Sequence, residues 1–138
     1  MERFVQAHRA HYPAALAEIR RGRKVTHWIW YVFPQLAGLG RSAMAQHYAI
    51  RDLAEARAFL ADPYLGGHLR EITQALLETG SRDPEQVMGS AVDAMKLCSS
   101  MTLFERAAED GGLFADVLDM YFDGRRDWRT LALLDGRT

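Results

Sequence analysis

Thr26–Ser42 reads THWIWYVFPQLAGLGRS, and the fold class turns on its first half. By propensity alone, the aromatic and β-branched residues of Trp28–Phe33 form a strand. No other segment of the chain offers a partner strand, and an unpaired one leaves buried N–H and C=O groups unsatisfied. The segment is therefore read as a short buried helix or an extended core stretch, with tertiary context overriding propensity. On that reading the protein is all-α, with no substantial sheet.

The flanking sequence carries helix signals in both directions. Upstream, Phe4 to Ala10 forms a first turn or two. A helix starting at Pro13 then places Tyr12, Leu16 and Ile19 on one face and stops at Gly22. Downstream, Ser42 caps a helix carrying Met44, Ala45 and Tyr48, and Asp52 caps the next, with Leu53, Ala56 and Leu60. Asp62-Pro63 is a cap followed by a first-turn proline, and Leu65, Leu69, Ile72 and Leu76 keep helical spacing up to Gly80. Asp83-Pro84 repeats the start signal ahead of Val87 and Met88. A long helix is predicted from Ala91 to Asp110, ended by Gly111-Gly112. Leu113, Val117, Leu118, Tyr121 and Phe122 follow up to Gly124, and Asp127 caps a last helix from Trp128 to Leu134. The expected architecture is about seven or eight helices in one compact domain, 1–138, with a frayed tail at 135–138.

Composition fits that picture. The 138 residues are 49% hydrophobic, enough for a single core. Seventeen basic residues against eighteen acidic ones give a net charge of -1 and no overall field for nucleic acid or anionic lipid. The lone Cys98 has no internal disulfide partner, no signal-peptide pattern opens the chain, and no apolar run approaches the roughly 20 residues that span a bilayer. The expected setting is a reducing cytoplasm, without membrane association.

Three groups of residues carry chemistry. His27, Trp28, Trp30 and Gln35 offer an imidazole, large rings and an amide, and about 100° per helical residue turns the two tryptophans to different sides. This stretch is either pocket wall or hydrophobic centre. Gly38, Gly40, Arg41 and Ser42 combine a flexible turn, a cation and a helix start, which suits an anion through free N–H groups and a charge-assisted bond. The equally open alternative is an ordinary capped loop, since no Walker or dinucleotide pattern is present. On the helix from Ala91, Asp93, Lys96 and Ser100 share an arc with Leu97, Leu103, Phe104 and Ala107, with Ser99 near its edge. Thr102, Glu105, Arg106 and Glu109 read as the solvent face, and Cys98 points outward. An i, i+3 Asp93–Lys96 pair is either a buried structural contact or a group that binds anions and moves protons.

Other residues read as architecture. His68, Arg70 and Glu71 lie on the surface unless the fold turns them inward, and Met88, Met95 and Met101 read as core filling. His8 and His11 lack acidic companions at ligand spacing, so no metal is expected, and no cofactor motif is present. Arg20, Arg21, Arg23 and Lys24 are too short a basic cluster to make nucleic acid a leading partner.

The chain also resembles a known family. The residues are Gly22-Arg23-Lys24, His27-Trp28-x-Trp30, Phe33-Pro34-Gln35-Leu36, Gly38-Leu39-Gly40-x-Ser42, Tyr48-Ala49-Ile50, Glu55-Ala56-Arg57, Leu65-Gly66 and Asp93-x-x-Lys96-Leu97-x-Ser99-Ser100-Met101-Thr102-Leu103-Phe104. Together they resemble the bacterial domain-of-unknown-function family 1810, sometimes labelled calpastatin-like, from Phe4 to Leu134. The resemblance implies a small multihelical fold and no established activity. A fainter likeness, to the NADAR family of all-helical ADP-ribose-processing enzymes, lies in Pro63-x-Leu65, Leu76-Leu77-x-Thr79-Gly80 and the Gly89 to Asp93 region. That family's tryptophan–glycine core is missing here.

These readings converge on a pocket between the His27 to Ser42 segment and the Asp93 to Ser100 face. It would take a small phosphate-bearing ligand of nucleotide or ADP-ribose type. Were it catalytic, as a hydrolase or transferase, His27, Asp93 and Lys96 would carry the chemistry, while Trp28, Trp30, Gln35, Gly38, Gly40, Arg41, Ser42, Ser99 and Ser100 would bind. The rival is a non-catalytic module that docks a protein partner and in which the Asp–Lys–Ser network is buried structure.

Overall fold

The computed structural model describes residues 1–137; Thr138 lies outside them. Nine helices are present among the described residues: α1 Glu2–Arg20, α2 Ile29–Val32, α3 Ala43–His47, α4 Leu53–Ala61, α5 Pro63–Glu78, α6 Pro84–Met88, α7 Ala91–Ala107, α8 Gly112–Phe122 and α9 Trp128–Arg137. No strand forms among them. The nearest approach to a sheet is an isolated parallel bridge between Leu36 and Ile50.

Side-chain caps set most of the helix starts. Ser42 accepts from Ala45 N–H, Asp52 from Glu55 N–H and Ser90 from Asp93 N–H, while Asp62 and Asp83 each cap a helix that opens with proline. Asp127 accepts from Thr130 N–H at the start of α9. The Trp28–Phe33 stretch forms the four-residue α2, and Trp28, Ile29, Tyr31, Val32 and Phe33 are all buried. Burial outweighs strand propensity there because the core takes the Trp28, Tyr31 and Phe33 rings.

Three boundaries differ from the sequence reading; one is α9, which runs on to Arg137, past the expected end at Leu134 and into the stretch expected to fray. α1 runs unbroken through Pro13. Proline removes one N–H from the helix interior, but Pro13 and Arg9 are both on the exposed side, where the freed Arg9 carbonyl can meet water. The buried stripe Phe4, Ala7, His8, Tyr12, Ala15 and Ile19 keeps its phase across the proline. At its far end α7 stops at Ala107, because Ala108 is extended at φ -75 and ψ 145, short of the expected Asp110.

α7 is the central helix, packed against α4, α6, α8 and α9, while α1 packs on α5 and α2. This placement corrects the assignment of a solvent face to α7: Thr102 is fully buried, and Glu105 is held by Arg126 at 2.6 Å. One hydrophobic core links residues from Phe4 to Leu134.

Candidate functional site

The 24–30 segment is fastened to the core by two acids. Glu18 of α1, almost fully buried, accepts from Val25 N–H (2.7 Å), Thr26 N–H (2.9 Å), the Thr26 hydroxyl (2.5 Å) and the Trp28 indole (3.0 Å). Burial alone would push this carboxyl up. The hydrogen bonds from Thr26, Val25 and Trp28 outweigh it and hold the pKa down to about 2. The second acid is Asp93, whose Oδ2 meets Lys24 Nζ at 2.8 Å, with only 4% of the Lys24 side chain exposed. Lys24 lies 5.2 Å from the Trp28 ring centroid, and its backbone N–H donates to the Val87 carbonyl. The main partner of Asp93 is thus a residue far away in sequence. Lys96 stands 3.8 Å from the other carboxylate oxygen, 5.4 Å from the Trp30 ring centroid and 21% exposed in its side chain.

The two stretches singled out in the sequence therefore meet, but through side chains packed against one another. Trp28 is core, and Trp30 is half-buried under Lys96. Trp30 Nε1 and Ser100 Oγ are buried with no hydrogen-bond partner among the described residues, each a cost of about 1–3 kcal/mol. His27 is exposed, its carbonyl accepting from the Tyr31 hydroxyl at 3.2 Å, and no described contact joins it to Asp93 or Lys96.

The second half of the segment turns outward. Gly38 sits at φ +103, where other residues are strained, and a side chain at Gly40 would collide with Ala45 Cβ. Those two glycines are explained by the turn itself. Gln35 is half-buried and its carbonyl accepts from Ile50 N–H at 2.8 Å. Ser42 Oγ accepts from Ala45 N–H at 3.1 Å, which takes one of the donors expected for an anion at that helix start. Arg41 is exposed. It lines a hollow of about 330 Å³ together with Gly38, Leu39, Trp128, Arg129, Ala132 and Leu133. Trp128 is 74% exposed, far more than either Trp28 or Trp30.

The position of Trp128 is fixed by a residue of the α7 constellation. Ser99 Oγ donates to Asp127 Oδ2 at 2.9 Å, the Asp127 N–H donates to Thr102 Oγ1 at 3.0 Å, and Thr130 closes the cap on the same carboxylate. Ser99 thus acts by anchoring the start of α9, one residue before Trp128. Arg129 is drawn toward Asp127 Oδ1 at 3.6 Å.

Sequence reasoning missed several features. A wider hollow of about 830 Å³ lies among Arg57, Leu60, Arg70, Ala107, Glu109 and Asp110. Its arginines already donate to helix-end carbonyls, Arg57 to Ala107 at 3.4 Å and Arg70 to Leu60 at 3.1 Å, and two acids balance them. His68 is turned inward: its Nδ1 lies 3.0 Å from Nδ1 of the buried His8, and its ring stacks on Tyr12 at 3.7 Å. Met95 is 49% exposed, so it does not fill the core as expected. Cys98 is half-buried, and burial, aided by Asp127, pushes its thiol up to about 11. Among the described residues no group of three or more His, Cys, Asp or Glu is arranged to hold a metal, and no helix is long and apolar enough to cross a membrane.

With this geometry in place, comparison with known proteins is direct. No curated protein matches the chain. A crystal structure described as that of the conserved hypothetical protein Rv1873 from Mycobacterium tuberculosis is similar at 45% sequence identity, over 97% of this chain and 95% of that one, with a TM-score of 0.93. Neither it nor the matching family supports the likeness to NADAR enzymes. The family described as protein of unknown function, DUF1810, matches residues 1–134, and this chain belongs to it.

Proposed function

We propose that the protein binds a small phosphate-bearing ligand with a planar ring, of nucleotide or ADP-ribose type, in the hollow between Gly38–Arg41 and α9. The observation that carries this reading is the exposed Trp128 ring beside Arg41 and Arg129 in one concavity. An exposed indole gives a stacking platform, and guanidinium groups give charge-assisted bonds to phosphate oxygens. Arg41 makes no ion pair among the described residues, so its charge is available. The base-holding role passes from Trp28 and Trp30, which are packed inside, to Trp128. Asp93, Lys96 and Ser99 then serve as supports, and Gln35 and Ser42 shape the turn.

A second reading, a protein-docking module, draws on Val25, Val92 and Met95, which are exposed at 69%, 57% and 49%. One experiment separates the two. Calorimetric titration with ADP-ribose, NAD and mononucleotides should give binding that is lost in Arg41→Ala and Trp128→Ala and kept in Lys96→Met. No binding by any of these ligands, or binding indifferent to Arg41 and Trp128, defeats the proposal.

A further inference from the structure

A pair of histidines on the α1–α5 face has its protons fixed by backbone geometry. His8, fully buried, places Nε2 at 2.8 Å from the carbonyl oxygen of Tyr31. A carbonyl only accepts, so His8 Nε2 carries the hydrogen. In a neutral imidazole the other nitrogen is then a bare acceptor. That nitrogen, Nδ1, faces His68 Nδ1 at 3.0 Å, and His68 must donate across the gap. With its hydrogen on Nδ1, neutral His68 is left with a lone pair on Nε2. The order of donors runs one way, from His68 through His8 to the Tyr31 carbonyl.

The surroundings favour this neutral arrangement. Burial, with the neighbouring His68 adding to it, lowers the His8 pKa to about 4 against a raising contribution from the Tyr31 carbonyl. Burial also lowers that of His68, with Glu71 opposing. The groups facing the pair are Tyr12 from α1, Tyr31 from α2, Phe59 from α4, and Tyr64 and Glu71 from α5. The Tyr12 hydroxyl donates to Glu71 at 2.7 Å, and Tyr12 and Tyr64 flank the His68 ring at 3.7 and 4.3 Å. His68 itself is partly exposed, and its Nε2 has no hydrogen-bond partner among the described residues.

We propose that His68 Nε2 is a hydrogen-bond-accepting site, aimed by His8, for a small neutral or cationic ligand that presents an O–H or N–H donor. Nδ1 keeps donating to His8 while Nε2 accepts. Glu71 disfavours an anion, which sets this site apart in ligand class from the Arg41–Trp128 hollow. His8 is a positioning residue: it selects the tautomer and touches no ligand.

Long-range ¹H–¹⁵N correlation spectra of the ¹⁵N-histidine-labelled protein at pH 7 test the claim on wild type alone. They should show His8 protonated on Nε2 and His68 on Nδ1. A His68 hydrogen on Nε2, or a cationic His68 at that pH, overturns the proposal. A chemical readout follows from diethylpyrocarbonate, an activated acyl probe: Nε2 attacks its carbonyl carbon, and ethyl carbonate departs. Mass mapping should find His68 carboethoxylated. His8→Phe, which removes the acceptor, should slow that modification by about tenfold, the worth of one net hydrogen bond. His8→Gln, whose amide oxygen can still accept, should restore most of the rate. Equal rates in all three proteins, each checked for folding by its amide spectrum, contradict the aiming role.

Discussion

The two halves of the Thr26–Ser42 segment carry similar chemistry to opposite ends. Around the first half the charges are closed in: Lys24, just upstream, is 4% exposed in its side chain and paired to Asp93 at 2.8 Å, and Glu18 of α1 gathers four donors around Trp28. In the second half Arg41 stands open beside Trp128, which is 74% exposed. Rings and cations next to one another do not by themselves mark a site. What separates the halves is whether the fully charged groups beside them already have partners within the chain. The first half contributes stability, and the second leaves the Arg41 charge without an ion-pair partner among the described residues.

The largest expected effect lies in the closed half. Lys24→Ala leaves Asp93 only the more distant Lys96 and should cost about 3 kcal/mol in denaturant unfolding, whereas Lys24→Met combined with Asp93→Leu should recover most of that loss. Arg41→Ala in the open half should stay within about 0.5 kcal/mol. Equal losses at Lys24 and Arg41 would break the contrast.

Acid should act on the closed interior next. His8 has a folded-state pKa of about 4 against an ordinary 6.5, so the unfolded chain binds more protons between those values. Stability should fall by about 3 kcal/mol as pH drops from 6.5 to 4, and this contribution should level off below that. Glu18 is depressed from 4.5 to about 2, and its contribution, present above 4.5, should drain away as pH falls through that lower window. Denaturant midpoints measured from pH 7 to 2 on wild type and His8→Phe check the order, since the variant should lose the first step and keep the second.

Ligand affinity comes third. Trp128→Ala should weaken nucleotide binding by about 1–3 kcal/mol, the usual worth of a base stacked on an aromatic ring, with little change in thermal midpoint. The smallest effect is expected at Lys96, which is 3.8 Å from Asp93 and partly exposed. Lys96→Met should change stability by under about 1 kcal/mol and leave binding intact. Loss of binding there would move the site back to the α7 face.

How much of this was legible depended on range along the chain. The caps at Ser42, Asp52, Asp62, Asp83 and Asp127 were readable because a cap and its helix are neighbours in sequence, and the all-helical class followed from them. Local signals misled at Pro13, where an exposed carbonyl makes a proline tolerable inside α1. They also misled on α7, because 3.6-residue periodicity assumes one covered face and this helix is packed by α4, α6, α8 and α9. Periodicity alone therefore points Thr102 to solvent, although it is fully buried. The true main partner of Asp93 was hidden, since Lys96 fits by spacing and Lys24 only by fold. His8 and His68, separated by 60 positions, gave no signal at all. Arg41 was legible as a cation on a turn, but its neighbour Trp128 was not, because nothing local brings α9 to the Gly38 turn.

The most direct test uses the three tryptophans as reporters, one in each environment. In a ¹H–¹⁵N titration with ADP-ribose, the Trp128 indole resonance should move together with the amides of Gly38 and Arg41, while the Trp28 indole, bonded to Glu18, stays fixed. Movement of Trp28 or Trp30 with Trp128 unchanged would contradict the account.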